Sequence, residues 1–227
     1  MIRTDGVDPA GPQVPPEPGA AAIEPIRTGA ADRRGRLPAR RPSDTRAGRV
    51  PCAALFLLAG ESTADFGAAV HALLASVEWW SAGGAGAWAS AQRQAGADEA
   101  VLTEVFECLN EPALARLFAR PPGLAEVWRE RSFEGVLDGV WVSGVFDRVV
   151  VERDAAGGAP TRVLVVDFKS DRIDDWEQIR RATERHSGQL EFYRRVAALL
   201  TGVSPGGIEC QLLFTGPRRA ITLPARA

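Results

Sequence analysis

Lys169 is the only lysine among the 27 basic residues of the chain, and it stands two positions after Asp167 at the end of an apolar run, VLVVDFKSD, 163–171. A compact ammonium on a flexible stem reaches a single oxygen and can exchange a proton, whereas a guanidinium is larger and stays charged. Asp147, in the run VFDRVVV, is a second acid set among β-branched residues. Period-two alternation puts Asp167 and Lys169 on one strand face with Val163 and Val165, and Asp147 on one face with Val145, Val149 and Val151. If the 154–161 loop closes an antiparallel hairpin whose paired positions sum to about 314, the two aspartates are cross-strand neighbours with Cβ atoms roughly 5 Å apart. Carboxylates at that spacing repel unless a cation lies between them. Hard oxygen ligands suit Mg²⁺ or Mn²⁺, and the Phe168 carbonyl can add one more. Lys169 is then left to steady a water nucleophile or a developing phosphate charge. The plain alternative is an exposed ion pair of Lys169 with Asp167 or Asp171.

The elements that must position these groups follow from periodicity. Residues 65–80 carry apolar side chains at helical spacing, with Asp65 as the expected N-cap. SAGGAGAWAS reads as a Gly/Ala break. A second helix spans 97–110, and a short third starts with Pro112 in its first turn and stops at Pro121, Pro122 and Gly123. The period then changes to two. Residues 131–153 read as a hairpin turning at Asp138–Gly139, and 162–171 as a further strand. A polar helix over 174–185 and an amphipathic one over 187–202, capped by Ser187 and stopped by Gly202, precede a last strand at 208–216. The order α-α-α, β-β-β, α-α, β implies an α/β fold, a small mixed sheet flanked by helices.

Other rare residues fall on these elements. Tyr193 is the only tyrosine, and His71 and His186 are the only histidines. Gln189 and Tyr193, four apart, share a helix face. Singly, His71 reads as a core-edge histidine and Tyr193 as a packing residue with a solvated hydroxyl.

The net charge of −2 argues against a protein that binds nucleic acid through overall charge alone, while leaving room for a local basic groove. Cys52, Cys108 and Cys210 form no CxxC and no disulfide framework, which fits a cytoplasmic setting. No stretch reaches the roughly 18 apolar residues a membrane span needs, and the N-terminus carries no signal-peptide pattern. Residues 1–50 hold half of the sixteen prolines and eight arginines from Arg27 to Arg49. They read as a disordered tail ahead of a folded domain at 51–227, either a solvated linker or a phosphate-binding arm.

The ordered set G-x-x-x-H (Gly67, His71), G-x-x-D-R (Gly144, Asp147, Arg148), D-x-K (Asp167, Lys169) and Q-x-x-x-Y (Gln189, Tyr193) resembles the RecB-like branch of the PD-(D/E)XK nucleases. It looks most like the C-terminal nuclease domain of AddA/RecB-type helicase–nucleases of the UvrD/Rep group. WREXXF (Trp128, Arg129, Glu130, Phe133) looks like the strand that opens the sheet in these domains. The resemblance implies a restriction-endonuclease-like core. It implies His71, Asp147, Asp167 and the Phe168 carbonyl as ligands of Mg²⁺ or Mn²⁺. It gives Lys169 the placing of the attacking water and the stabilising of the transition state. Gln189 and Tyr193 would hold the active-site helix to the sheet or touch the DNA backbone, and Glu130 would support the site from behind. The implied reaction is metal-dependent hydrolysis of DNA phosphodiesters, by an exonuclease module in recombination or double-strand break repair. Some relatives carry a four-cysteine iron–sulfur cluster; three scattered cysteines give no expectation of one. No G-x-x-x-x-G-K-[ST] loop is present, so no nucleotide is expected, and a motor would have to come from a helicase partner. The chain would be a stand-alone nuclease or a piece of a longer ancestor. Three alternatives stay open: an inactive nuclease fold that binds DNA or a helicase partner, an enzyme acting on another phosphoester, and a structural domain with coincidental motifs.

Overall fold

A mixed β-sheet between two helical layers forms the core of the computed structural model, which describes residues 39–40, 61–154 and 158–225. The expected tail and the domain boundary at 51 lie outside the described residues, except for Ala39–Arg40, a two-residue strand β1 that runs parallel to β3. Four helices follow: α1 (Glu61–Ala75), α2 (Ala85–Gln94), α3 (Glu99–Asn110) and α4 (Pro112–Phe118). Then come β2 (Leu124–Leu137), β3 (Val140–Arg153), β4 (Pro160–Lys169), the long helix α5 (Trp176–Thr201), β5 (Ile208–Phe214) and β6 (Arg219–Leu223). The strand order is β2-β3-β4-β5-β6, with β4 and β5 parallel, the other neighbours antiparallel, and β1 beside the first half of β3.

Local chemistry accounts for most boundaries. The Asp98 carboxylate accepts from the Ala100 and Val101 amides and caps α3. The Asp138–Gly139 turn joins β2 to β3, with both residues at positive φ (52° and 73°), the geometry of a two-residue hairpin loop. Gly202 ends α5 in the left-handed region, φ 74°.

Several boundaries differ from the periodicity reading. Helix α1 starts at Glu61, so Asp65 lies one turn inside it rather than capping it. Helix α2 starts inside the Gly/Ala segment, buries Ala85 and Ala89 and sets Trp88 edge-on against Trp80; small residues there allow close packing rather than a break. The two helices expected at 174–185 and 187–202 are one. Asp175 caps it, and Ser187 sits mid-helix with its hydroxyl donating back to the Glu184 carbonyl. Ile179 and Ala182 lie before that point, and Leu190, Phe192, Tyr193, Val196 and Ala197 after it, all buried in one core with the sheet. A break would have unseated one half. Strand β6, pairing with β5 from Cys210 to Phe214, completes the sheet beyond the strand expected to be last.

The two layers pack against opposite sheet faces. Val163 and Val165 of β4 face α5, whereas Val166 and Phe168 face the core built by α1, α3 and α4. Strand β3 does not keep a single alternation. Val142 and Phe146 join the α5 core, and so do Val149 and Val151. The parity therefore changes between 146 and 149, and Val145, expected to share a face with Val149, is instead 38% exposed. Opposite this point Glu130 adopts φ 44°, and the β2–β3 ladder omits the Glu130–Asp147 rung between Arg129↔Arg148 and Arg131↔Phe146.

Candidate functional site

That irregular rung is where the acids gather. The β3–β4 register follows the expected sum at Arg148↔Val166 and Val149↔Val165, then the ladder stops before Asp147 and Asp167. The Asp147 carboxylate replaces a backbone acceptor: its Oδ2 accepts from the Phe168 N–H at 2.7 Å. In an extended strand a residue's N–H and C=O leave on the same side. The Lys169 carbonyl accepts from the Thr215 N–H on the β5 side; that of Phe168 accordingly faces β3 and the acids.

Helix α1 supplies the histidine. His71 Nδ1 lies 3.5 Å from Asp147 Oδ1, and its ring stands edge-on to Phe168, with centroids 5.6 Å apart. Gly67, one turn earlier, permits this approach, because a Cβ there would lie 2.6 Å from the Ser170 hydroxyl. His71, Glu130 and Asp147 each offer a ligand atom, all within 4.8 Å of one another. Glu130, expected only in a supporting place, thus comes within 4.8 Å of the histidine and Asp147, which lie 3.5 Å from each other. The positive φ that brings it there has no local sequence signal.

Asp167 and Lys169 lie beside this group and are buried, at 2% and 8% exposure. Lys169 Nζ meets Asp167 Oδ2 at 2.5 Å, so the lone lysine has an acid partner as the plain reading required, but in the interior rather than on the surface. The ammonium is the partner of Oδ2 in this contact. From α5, Gln189 Nε2 donates to Asp167 Oδ1 at 3.4 Å and to the Tyr193 hydroxyl at 3.3 Å. The Tyr193 hydroxyl donates to the Val145 carbonyl at 2.7 Å. Both side chains are buried and link α5 to β3 and β4.

The electrostatics register the crowding of acids. Burial, opposed by Lys169 and reinforced by the Asp147 charge, pushes the Asp167 carboxyl up to about 6. Burial and the charge of Asp147 raise Glu130. Burial would lower His71, but its contact with Asp147 outweighs that and raises it above the usual 6.5. Three neighbouring acids and a histidine share one ammonium, so the cluster favours an added cation. The donor set, carboxylates with one imidazole and an inward-facing carbonyl, suits a hard divalent ion. Asp167, buried beside this group with its Oδ2 against the Lys169 ammonium, adds a further carboxylate to it.

Two residues of the quoted motifs, Arg148 and Arg129, carried no expected role. Arg148 is 1% exposed. Its guanidinium donates to the carbonyls of Leu117, Val77 and Glu78. Arg129, its rung partner, donates to the Ala75 carbonyl at 2.7 Å. Their signal was membership of G-x-x-D-R and WREXXF beside Asp147 and Glu130, which does not reveal these carbonyl partners.

The PD-(D/E)XK nuclease superfamily profile matches residues 57–221, and the chain belongs to that superfamily. Its fold, a mixed sheet with flanking helices, agrees with the restriction-endonuclease-like core. A comparison with curated protein sequences gives no significant match. Membership implies a nuclease in general terms, and PD-(D/E)XK nucleases use divalent metals. Among the described residues, no helix is long and apolar enough to cross a membrane.

Proposed function

We propose that this chain is a Mg²⁺- or Mn²⁺-dependent deoxyribonuclease of the RecB-like branch, an exonuclease module of recombination or double-strand break repair. It works in the cytoplasm, on DNA delivered by a helicase subunit. The observation that carries the reading is the convergence of His71, Glu130 and Asp147 within 4.8 Å beside the buried Asp167–Lys169 pair. His71, Asp147, Asp167 and the Phe168 carbonyl would hold the metal, with Glu130 at its edge. Bound there, a divalent ion supplies Lewis-acid neutralisation of phosphate charge and makes water more acidic. Lys169 donates hydrogen bonds to the attacking water and a phosphate oxygen. Gln189 fixes the Asp167 carboxylate, and Tyr193 fixes Gln189 against β3, so the acid is held before substrate arrives.

The test is cleavage of end-labelled linear DNA and closed circular DNA by purified protein with Mg²⁺, Mn²⁺ or EDTA, beside Lys169→Ala and Asp167→Ala. Metal-dependent shortening of linear DNA by wild type alone is the expected result. Equal cleavage by wild type and variants, or none by any of them, rejects the catalytic reading. Binding of DNA without cleavage supports an inactive nuclease fold instead. Nicking of circles replaces exonuclease with endonuclease action.

A further inference from the structure

Each of the two acids on the irregular rung has an arginine as its chain neighbour, and both arginines grip the helix that carries His71. Arg129 Nη1 donates to the carbonyl of Ala75, the last residue of α1, at 2.7 Å. Arg148 Nη1 and Nη2 donate to the Val77 and Glu78 carbonyls just beyond that end, each at 2.8 Å. Arg148 Nε donates to Leu117, in the last turn of α4, at 3.2 Å. Helix C-termini leave carbonyls unpaired and carry partial negative charge. Here two helix ends converge on one guanidinium, which lies 4.8 Å from the Phe118 ring centre and 5.5 Å from that of Trp79. Arg129 and Arg148 are themselves a directly opposed pair on β2 and β3.

The apolar contacts of α1, through Val70, Leu73 and Leu74, press the helix toward the sheet but are non-directional. They do not define its position along its own axis. Forked hydrogen bonds to three carbonyls do, and a lysine has no such fork. His71 lies four residues before Ala75, about 6 Å along the helix. A shift of the helix end therefore carries the imidazole with it.

We propose that Arg148, seconded by Arg129, is a positioning residue for the metal centre: it pins the C-terminal end of α1 to the rung next to Glu130 and Asp147 and so sets the distance from His71 to both carboxylates. The inference rests on the metal-centre reading above and adds to it the device that holds the ligands in register.

Binding of Mn²⁺ by the full chain, followed from the electron paramagnetic resonance signal of the free ion, tests it. The variants are Arg148→Lys, Arg129→Ala and, as a control for stability alone, Val163→Ala, buried in the other core. Arg129 is exposed, so its variant keeps the test open should Arg148→Lys fail to fold. Arg148→Lys weakens Mn²⁺ binding by about 10- to 100-fold, the usual loss when the group orienting a ligand is changed. Arg129→Ala weakens it by less, and Val163→Ala leaves it unchanged. Wild-type affinity in both arginine variants overturns the proposal. If wild type itself takes up no Mn²⁺, the metal reading fails separately, and the clamp is judged by hydrogen exchange in the metal-free protein. Faster exchange confined to the α1 amides in the arginine variants upholds it; unchanged protection of α1 overturns it.

Discussion

Lys169→Met in metal-free protein isolates what the lone lysine does for the acid beside it. Asp167 is buried, and its carboxyl stands at about 6 in the fold against 3.8 for the free group, even with Lys169 pulling it down. One pH unit of displacement corresponds to about 1.4 kcal/mol. Between about pH 4 and 6 the fold holds a proton that the unfolded chain has released, so stability falls as pH rises, by about 3 kcal/mol in all. Above pH 6 the carboxyl is ionised in both states, and the wild-type loss stops. Without Lys169 the carboxyl keeps its proton to higher pH, and the decline continues at about 1.4 kcal/mol per unit. The variant is therefore less stable than wild type by about 2 kcal/mol near pH 7.5. That is a ceiling, because the acid protonates rather than remain charged and alone. Near pH 5 Asp167 is already protonated in both proteins, and the variant loses nothing or gains, since a buried ammonium has been removed. Urea unfolding in EDTA, read by tryptophan fluorescence from about pH 5 to pH 8, gives the difference at each pH. Asp167→Asn/Lys169→Met, which lacks both charges, serves as the reference and shows no such divergence. A Lys169→Met penalty that is constant across this range, or largest in acid, refutes the assignment of Asp167 as the buried acid that Lys169 serves.

Mn²⁺ binding weakens as pH falls through about 6, where Asp167 takes up its proton, and His71, raised above its usual value, must likewise be deprotonated to act as a ligand; calorimetric titration checks this, and pH-independent affinity contradicts it. Tyr193→Phe removes the hydrogen bond to the Val145 carbonyl and lowers unfolding free energy by about 1 kcal/mol, measurable as a reduced urea midpoint. Gly67→Ala places a methyl 2.6 Å from the Ser170 hydroxyl and costs about 1 to 3 kcal/mol by overpacking; Ser170→Gly in the same chain restores most of it, and an equal cost in both backgrounds rules out that contact.

The sequence by itself determined the elements whose signals are local. The Asp138–Gly139 turn, the Gly202 helix end, and the β3–β4 register set by a short connection are all consequences of neighbouring residues. So is the presence of an acid, an acid and a lysine on two adjacent strands, and the motif order marked the superfamily. Tertiary structure decided the rest. One long α5 replaced two helices because a continuous apolar face could be buried only by a continuous helix. The change of parity in β3 and the positive φ of Glu130 arose where two strands, a helix end and two arginines compete for one rung. The grip of Arg129 and Arg148 on α1 joins residues more than fifty positions apart. Such contacts depend on the packing of whole elements, and no spacing along the chain encodes them.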